Sequence, residues 1–134
     1  MERAAIYARF STKNQNETSI DDQVYNCRRK LKEMQIEVPD DDVYADYEMS
    51  GKLENRPQFN VLRERASAGV YNTILVDDLS RLSRNQIQTL VITANFQSAG
   101  IRIIAVQDGI DSLRDNLMLK FKALVNDLYI VDLI

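Results

Sequence analysis

Histidine and tryptophan are absent from this sequence of 134 residues, and cysteine occurs once, as Cys27. Without histidine, the chain has no imidazole general base and no histidine-containing zinc site. A single cysteine cannot close an internal disulfide or hold a metal cluster, and its apolar helical position is typical of a buried thiol. These absences exclude histidine-based catalysis and the common zinc sites.

Glycine and proline are also scarce, with four and two residues. No glycine-rich phosphate loop follows the first predicted strand, which argues against a signalling or nucleotide-binding domain of the flavodoxin-like type. No stretch approaches the roughly 20 apolar residues that span a bilayer, and the N-terminus lacks the apolar region of a signal peptide. We therefore expect a cytoplasmic protein without a membrane segment.

The remaining composition predicts one packed domain over residues 1–134, because 45% of the residues are hydrophobic and 28% are charged. Apolar segments typical of strands occur at residues 3–10, 43–47, 73–77 and 101–106, and a segment of helical periodicity follows each of them. This alternation predicts an α/β domain of three layers, with a central, mainly parallel sheet of four to five strands flanked by helices.

Capping signals predict where three of the helices begin. Ser19 stands three residues before Asp22, Ser83 stands three residues before Gln86, and Pro57 fits a first helical turn. The third of these helices is expected to bury an apolar face, formed by Ile87, Leu90, Val91 and Ala94.

A long last helix is predicted over about residues 112–134. Its apolar residues follow a heptad-like spacing and comprise Leu117, Phe121, Leu124, Leu128 and Val131. Such a seam either covers the core of its own domain or joins two copies of the chain. Because the helix stays apolar up to Ile134, we expect a subunit interface and a longer parent chain.

The first predicted strand carries three polar side chains on one face. Tyr7, Arg9 and Ser11 alternate along it towards its C-terminal end, where open α/β sheets bind their ligands. A phenol, a guanidinium and a hydroxyl at that edge are suited to a phosphate group. Taken alone, a serine at the end of a strand is usually ordinary turn chemistry.

A second polar cluster, D-D-L-S-R-L-S-R at residues 77–84, follows the third predicted strand. Arg81 and Arg84 share one side if a helix begins near Ser80. Arginine is unfavourable in a first helical turn, so the pair indicates either an anionic ligand or a carboxylate partner such as Asp77. The alternative is a solvated helix start. A metal-dependent nuclease is not indicated, because Asp77 and Asp78 are neighbours in a strand and point to opposite faces.

A third cluster, D-Y-E-M-S-G at residues 46–51, precedes Arg56 and Pro57. Arg56 stands just before a helix whose N-terminus itself favours an anion. Read by itself, this segment is a loop and a helix start.

Together, the three clusters resemble one family. YARFST with Gln23 downstream, then D-x-x-x-S-G-x-x-x-x-R-P, then D-L-S-R-L-S-R, occur in the order and at the approximate spacing of the catalytic domain of the resolvase/invertase family of serine recombinases. The resemblance covers nearly the whole chain. The third motif and the N-D-L-Y of the last helix look most like the large serine recombinases of conjugative and mobilisable transposons.

The resemblance implies site-specific DNA recombination with Ser11 as the nucleophile. In this family the serine attacks a DNA phosphodiester, which gives a 5′-phosphoserine and a free 3′-hydroxyl, and four subunits exchange the halves of two duplexes. No metal or nucleotide cofactor is required. The other residues implied are Arg9, Arg81, Arg84 and Arg56 around the scissile phosphate, with Tyr7 and Gln23 in support.

The sequence departs from the small resolvases at Ser80, where those relatives carry an acid that is a candidate proton donor or organiser. That role passes here to Asp77, to Asp78, to Arg81 or to no residue. Ser80 is a familiar variant among the large members, so the departure does not predict inactivity.

The net charge of −3 is unusual for a protein that binds DNA, because phosphate contacts favour basic surfaces. The resemblance accounts for it, since family members bind DNA mainly through modules that follow the catalytic domain. We therefore expect double-stranded DNA and further copies of this chain, as a dimer or tetramer, to be the partners. The alternative is a catalytically inactive relative that keeps the fold as a DNA-architectural or partner-binding domain.

Overall fold

The computed structural model describes residues 3–11, 18–48, 56–83 and 85–115. Five strands form one sheet: β1 (Ala4–Ser11), β2 (Val43–Glu48), β3 (Thr73–Val76), β4 (Arg102–Ala105) and β5 (Ile110–Asp111). Their order across the sheet is β2-β1-β3-β4-β5. The first four are parallel and β5 runs antiparallel to β4, so the mainly parallel sheet predicted from the sequence is confirmed. β5 has only two residues and lies outside the predicted strands.

Within the part of the chain that the structure describes, three helices cover the two faces of the sheet: α1 (Ile20–Glu33), α2 (Pro57–Ser67) and α3 (Gln86–Ser98). Alternate residues of β1 face opposite layers, so Ile6 packs with Cys27 and Leu31 of α1, whereas Tyr7 packs in the cluster that contains Phe59 of α2. Phe96 of α3 joins the same cluster as Phe59. The arrangement is the predicted three-layer α/β domain.

The start of α1 follows its capping signal. The Ser19 hydroxyl accepts a hydrogen bond from the Asp22 amide at 3.2 Å. The helix buries the apolar residues Ile20, Cys27 and Leu31. Pro57 occupies the first turn of α2, as predicted.

The predicted capping box at the start of α3 is wrong. Asn85 caps this helix, because its Oδ1 accepts hydrogen bonds from the amides of Ile87 at 2.8 Å and Gln88 at 3.1 Å. Asparagine is one of the strongest N-cap residues and stands immediately before the helix. Ser83 instead accepts a hydrogen bond from the Asn85 amide and donates one to the Gln88 side chain.

The predicted apolar face of α3 is also wrong. Ile87 and Val91 are 63% and 53% exposed, whereas Thr89, Thr93 and Phe96 are buried. Threonine is tolerated there because its hydroxyl finds a partner within the helix, as when Thr93 donates to the Thr89 carbonyl at 2.7 Å. Its methyl group is then free to pack against the sheet.

The last predicted helix does not begin at Ser112. Residues 112–115 form a turn, in which the amides of Arg114 and Asp115 both bond the Asp111 carbonyl. The heptad-like seam from Leu117 to Val131 lies outside the described residues. Within the described ranges, no helix combines the length and apolar character needed to cross a membrane.

Replacing Asn85 with alanine should lower the free energy of unfolding by about 1 kcal/mol, because two amides at the start of α3 lose their acceptor. Urea denaturation measures the change. Gln86→Ala is the matched control: Gln86 is the exposed partner in the rejected capping box, and its loss should shift stability by less than about 0.5 kcal/mol. If Gln86→Ala lowered the free energy of unfolding more than Asn85→Ala, the predicted capping box would be supported instead.

Candidate active site

The candidate site begins at the C-terminal end of β1, inside the sheet. Arg9 and Ser11 are each 3% exposed and share the face of β1 that carries Tyr7. Arg9 lies opposite Asp46 of β2, and Tyr7 lies opposite Val76, the last residue of β3. Because all three strands are parallel, the segments that follow them leave the sheet at this same edge, as the sequence predicted.

Gln23, in the first turn of α1, holds the backbone of Arg9. Its Oε1 accepts a hydrogen bond from the Arg9 amide at 3.1 Å. Its Nε2 donates to the Arg9 carbonyl at 2.9 Å and to the Thr18 carbonyl at 2.8 Å. The side chain is fully buried, at 0% exposed. A side-chain amide that pairs with both polar groups of one residue fixes that residue much as a neighbouring strand would.

Arg9 and Arg81 bind each other's backbone. Arg9 donates from Nη2 to the Ser80 carbonyl at 2.9 Å and from Nε to the Arg81 carbonyl at 3.3 Å. Arg81 donates from Nη1 to the Arg9 carbonyl at 3.3 Å. Both arginines are at least 95% buried. The end of β1 and the turn after β3 are therefore locked together through two guanidinium groups.

Arg56 reaches the same turn from the start of α2. It is 7% exposed, and its Nη1 donates to the carbonyl of Leu82, the residue after Arg81. Its Cζ lies 4.3 Å from the centre of the Phe59 ring, a distance that favours a cation–π interaction. The structure thus brings Arg56, which follows the third sequence cluster, to the turn formed by the second.

Asp46 connects these parts, although the sequence does not single it out as a site residue. Its Oδ2 accepts hydrogen bonds from the Tyr7 hydroxyl and the Phe59 amide, both at 2.9 Å, and its Oδ1 accepts one from the Gln58 amide at 3.0 Å. A carboxylate of β2 therefore caps the N-terminus of α2, next to Arg56. The signal in the sequence is an acid at an inward-facing position of β2, two residues after buried Tyr44.

Tyr7 stays neutral in this environment. Burial raises the pKa of its phenol far above the ordinary value of 10, and the Asp46 carboxylate raises it further, while Arg56 acts in the opposite direction. The phenol therefore stays protonated at neutral pH, and its hydroxyl donates a hydrogen bond to Asp46. Tyr7 and Asp46 together fix the position from which Arg56 extends.

The two adjacent acids contact different partners, but they are not neighbours in a strand as predicted, because β3 ends at Val76. The predicted carboxylate partner of the arginines, Asp77, is also wrong for Arg81, which lies beside Asp78 instead. Asp77 is 2% exposed and accepts a hydrogen bond from Asn26 of α1 at 3.0 Å. Asp78 accepts hydrogen bonds from the amide and the hydroxyl of Ser80, and lies 3.5 Å from Nε of Arg81.

A helix that begins near Ser80, the condition under which Arg81 and Arg84 would share one side, does not form. A short 3₁₀ turn covers Leu79–Arg81, and α3 begins later, at Gln86. The unfavourable helix dipole therefore does not act on Arg81 in the way the sequence suggested. Arg84 lies outside the described residues.

The described part of the site gathers a hydroxyl and three guanidinium groups at one edge of the sheet. Guanidinium groups match the geometry of phosphate oxygens and stabilise negative charge that develops on them. Across the described residues, no group of three or more acidic or cysteine side chains is arranged to hold a metal ion. The arrangement is suited to a reaction of a phosphate ester at Ser11.

Comparisons with known proteins agree with this chemistry. The family model "Resolvase, N terminal domain" matches residues 4–130. A protein of Bacillus subtilis (strain 168) named "Putative DNA recombinase" is 36% identical over 104 residues, which cover 76% of this chain and 20% of that protein. The chain therefore corresponds to about a fifth of the length of this relative.

Two solved structures are similar over almost their whole length. The N-terminal catalytic domain of TP901-1 integrase superposes with a TM-score of 0.76 at 29% identity, covering 94% of this chain and 95% of that one. A resolvase family site-specific recombinase from Streptococcus pneumoniae gives a TM-score of 0.71 at 27% identity, covering 98% of this chain and 91% of that one.

Replacing Asp46 with alanine should lower the free energy of unfolding by about 3 kcal/mol, because the Tyr7 hydroxyl and two amides of α2 lose a charged acceptor in a buried place. Urea denaturation at neutral pH measures the loss. Glu37→Ala, which removes an exposed acid from the segment between α1 and β2, should change stability by less than about 0.5 kcal/mol. Equal midpoints for the two variants would show that α2 is held without the carboxylate.

Proposed function

The chain belongs to the resolvase N-terminal domain family, and on this basis we propose that it is the catalytic domain of a site-specific serine recombinase that cuts and rejoins DNA through a 5′-phosphoserine at Ser11. The observation that carries the proposal is the reciprocal bonding of Arg9 and Arg81, which places two guanidinium groups beside the strand end that bears Ser11. The integrase and recombinase domains of similar structure support it.

The reaction is a phosphoryl transfer between two alcohols. The Ser11 Oγ attacks phosphorus, the bond from phosphorus to the 3′-oxygen breaks, and the serine proton is lost while the 3′-oxygen gains one. The energy of the broken ester is kept in the serine ester, so the 3′-hydroxyl can reverse the step without a nucleotide cofactor. Arg9, Arg81 and Arg56 stabilise the negative charge that spreads over the phosphate oxygens in the transition state.

Two further residues support the site without touching the phosphate. Gln23 fixes the peptide of Arg9, and Tyr7, which keeps its proton, anchors Asp46 and so the start of α2. The resemblance of the D-L-S-R-L-S-R motif assigns Arg84 to the phosphate. Ser80 stands where the small resolvases carry an acid, and the proton-transfer or supporting role of that acid passes to Asp77, to Asp78, to Arg81 or to no residue.

We place this activity in the cytoplasm, on DNA of a transposon or another integrative element. The net charge of −3 indicates that most of the DNA affinity comes from regions outside this domain. Copies of the chain pair through the apolar seam of the last helix, and two pairs form the tetramer that holds both duplexes.

Changing Ser11 to alanine should abolish covalent attachment of the protein to DNA. The test uses the protein that carries this domain, together with any region after residue 134, and duplexes with the ends of its element. Reactions are quenched in denaturant and separated by size. Wild type should give an adduct on the 5′ end, in EDTA as well as in magnesium.

The matched control is Ser67→Ala, which removes an exposed serine at the end of α2 and should form the adduct at the wild-type rate. If wild type binds its site specifically but never forms an adduct, the domain is the architectural relative. If EDTA abolishes the adduct, the reaction depends on a metal and the proposed mechanism is wrong.

Replacing Phe121 with aspartate should shift a dimer towards the monomer, because a charge at the centre of the seam opposes its burial. Sedimentation equilibrium gives the mass. Lys122→Asp, next along the chain and off the seam, is the control and should leave the mass unchanged. A dimer that survives Phe121→Asp would indicate that the seam covers its own domain.

A further inference from the structure

The turn between β3 and α3 carries two acids, and their contacts differ. Asp77 is buried and turned to α1, where it accepts the hydrogen bond from Asn26. Asp78 lies in the same turn as Ser80 and Arg81, whose carbonyls accept hydrogen bonds from the Arg9 guanidinium. Of these two acids, Asp78 is the one in contact with a residue of the arginine pair.

Asp78 makes three contacts in this turn. Its carboxylate accepts hydrogen bonds from the Ser80 amide at 2.9 Å and from the Ser80 hydroxyl, and its Oδ2 lies 3.5 Å from Nε of Arg81. The side chains of Arg81 and Asp78 are 6% and 24% exposed. Because the pair is largely removed from solvent, it is screened less than a surface ion pair.

Two contacts of different kinds act on the Arg81 guanidinium. Nη1 donates a hydrogen bond to the Arg9 carbonyl at 3.3 Å, whereas Nε lies 3.5 Å from Oδ2 of Asp78 as an ion pair. The hydrogen bond fixes one edge of the planar group, and attraction to the Asp78 charge favours one orientation of it, so its orientation towards a phosphate is set in advance.

We propose that Asp78 is a positioning residue for DNA cleavage: its negative charge orients Arg81, and its hydrogen bonds to Ser80 hold the turn that receives Arg9. This role rests on the proposed function. Asp78 does not donate the proton to the leaving 3′-oxygen, because its carboxylate is the acceptor for the Ser80 amide and hydroxyl and the counter-ion of Arg81. Asp77 has no part in orienting Arg81.

Other hydrogen bonds also hold this turn, so Asp78 can be substituted without unfolding it. The Leu79 amide donates to Asp108 at 2.8 Å, and the Arg81 and Leu82 amides bond the carbonyls of Asp78 and Leu79. Asp78→Asn keeps an acceptor for the Ser80 amide and removes the charge that faces Arg81. Asp108→Asn removes one charge from the other side of the same turn and is the matched control.

The experiment measures the rate of adduct formation at saturating DNA. Asp78→Asn should form the adduct about tenfold more slowly than wild type. A misoriented Arg81 guanidinium lowers the rate of the chemical step and leaves DNA affinity unchanged. Asp78→Glu should recover part of the rate, and Asp108→Asn should match wild type. Both asparagine variants should keep their urea midpoints. A wild-type rate for Asp78→Asn, or an equal defect in Asp108→Asn, would overturn the role.

A second substrate separates positioning from proton donation. In DNA with sulfur in place of the bridging 3′-oxygen at the scissile phosphate, the leaving thiolate needs no proton. The tenfold defect of Asp78→Asn should persist on this substrate. If the defect disappears, Asp78 is a proton donor and the proposal is wrong. If wild type forms no adduct on either DNA, the proposed function itself fails, and the role of Asp78 falls with it.

Discussion

The site depends on backbone carbonyl groups that hold its guanidinium groups. Arg9 bonds the carbonyls of Ser80 and Arg81, Arg81 bonds that of Arg9, and Arg56 bonds that of Leu82. Like charges repel, so each guanidinium group needs a fixed acceptor. A carbonyl oxygen supplies the fixed geometry without cancelling the positive charge, which a full set of carboxylates would do. The positive charge is therefore retained for the phosphate of the proposed reaction.

The sheet makes this arrangement possible because β1 lies between β2 and β3, with both neighbours parallel to it. The ends of three strands therefore meet at one edge. Helix α1 reaches that edge through Gln23 and Asn26, and α2 reaches it through the amides that bind Asp46. Elements from both helical layers thus stabilise a site that belongs to neither.

Much of the fold and part of the site follow from the sequence. The alternation of Tyr7, Arg9 and Ser11, the cap at Ser19 and the proline at the start of α2 are local signals, and local rules interpret them correctly. The contribution of Asp46 is not local, because its meaning depends on amides that lie 12 and 13 positions away in the chain. The face of α3 was assigned incorrectly for a related reason. Threonine counts as polar in a pattern, but a helix carbonyl satisfies its hydroxyl and lets Thr93 be fully buried.

The amide of Gln23 has a consequence for how the protein ages. Its hydrogen bonds require an acceptor and a donor at the end of one side chain, and glutamate, the product of deamidation, has no donor when ionised. Loss of ammonia would set a carboxylate against the carbonyl oxygens of Arg9 and Thr18, inside the domain and at the strand end that bears Ser11. Deamidation is a hydrolysis, and this amide is 0% exposed. Burial thus keeps water away from the Gln23 amide, whose hydrolysis would break its hydrogen bonds to Arg9 and Thr18.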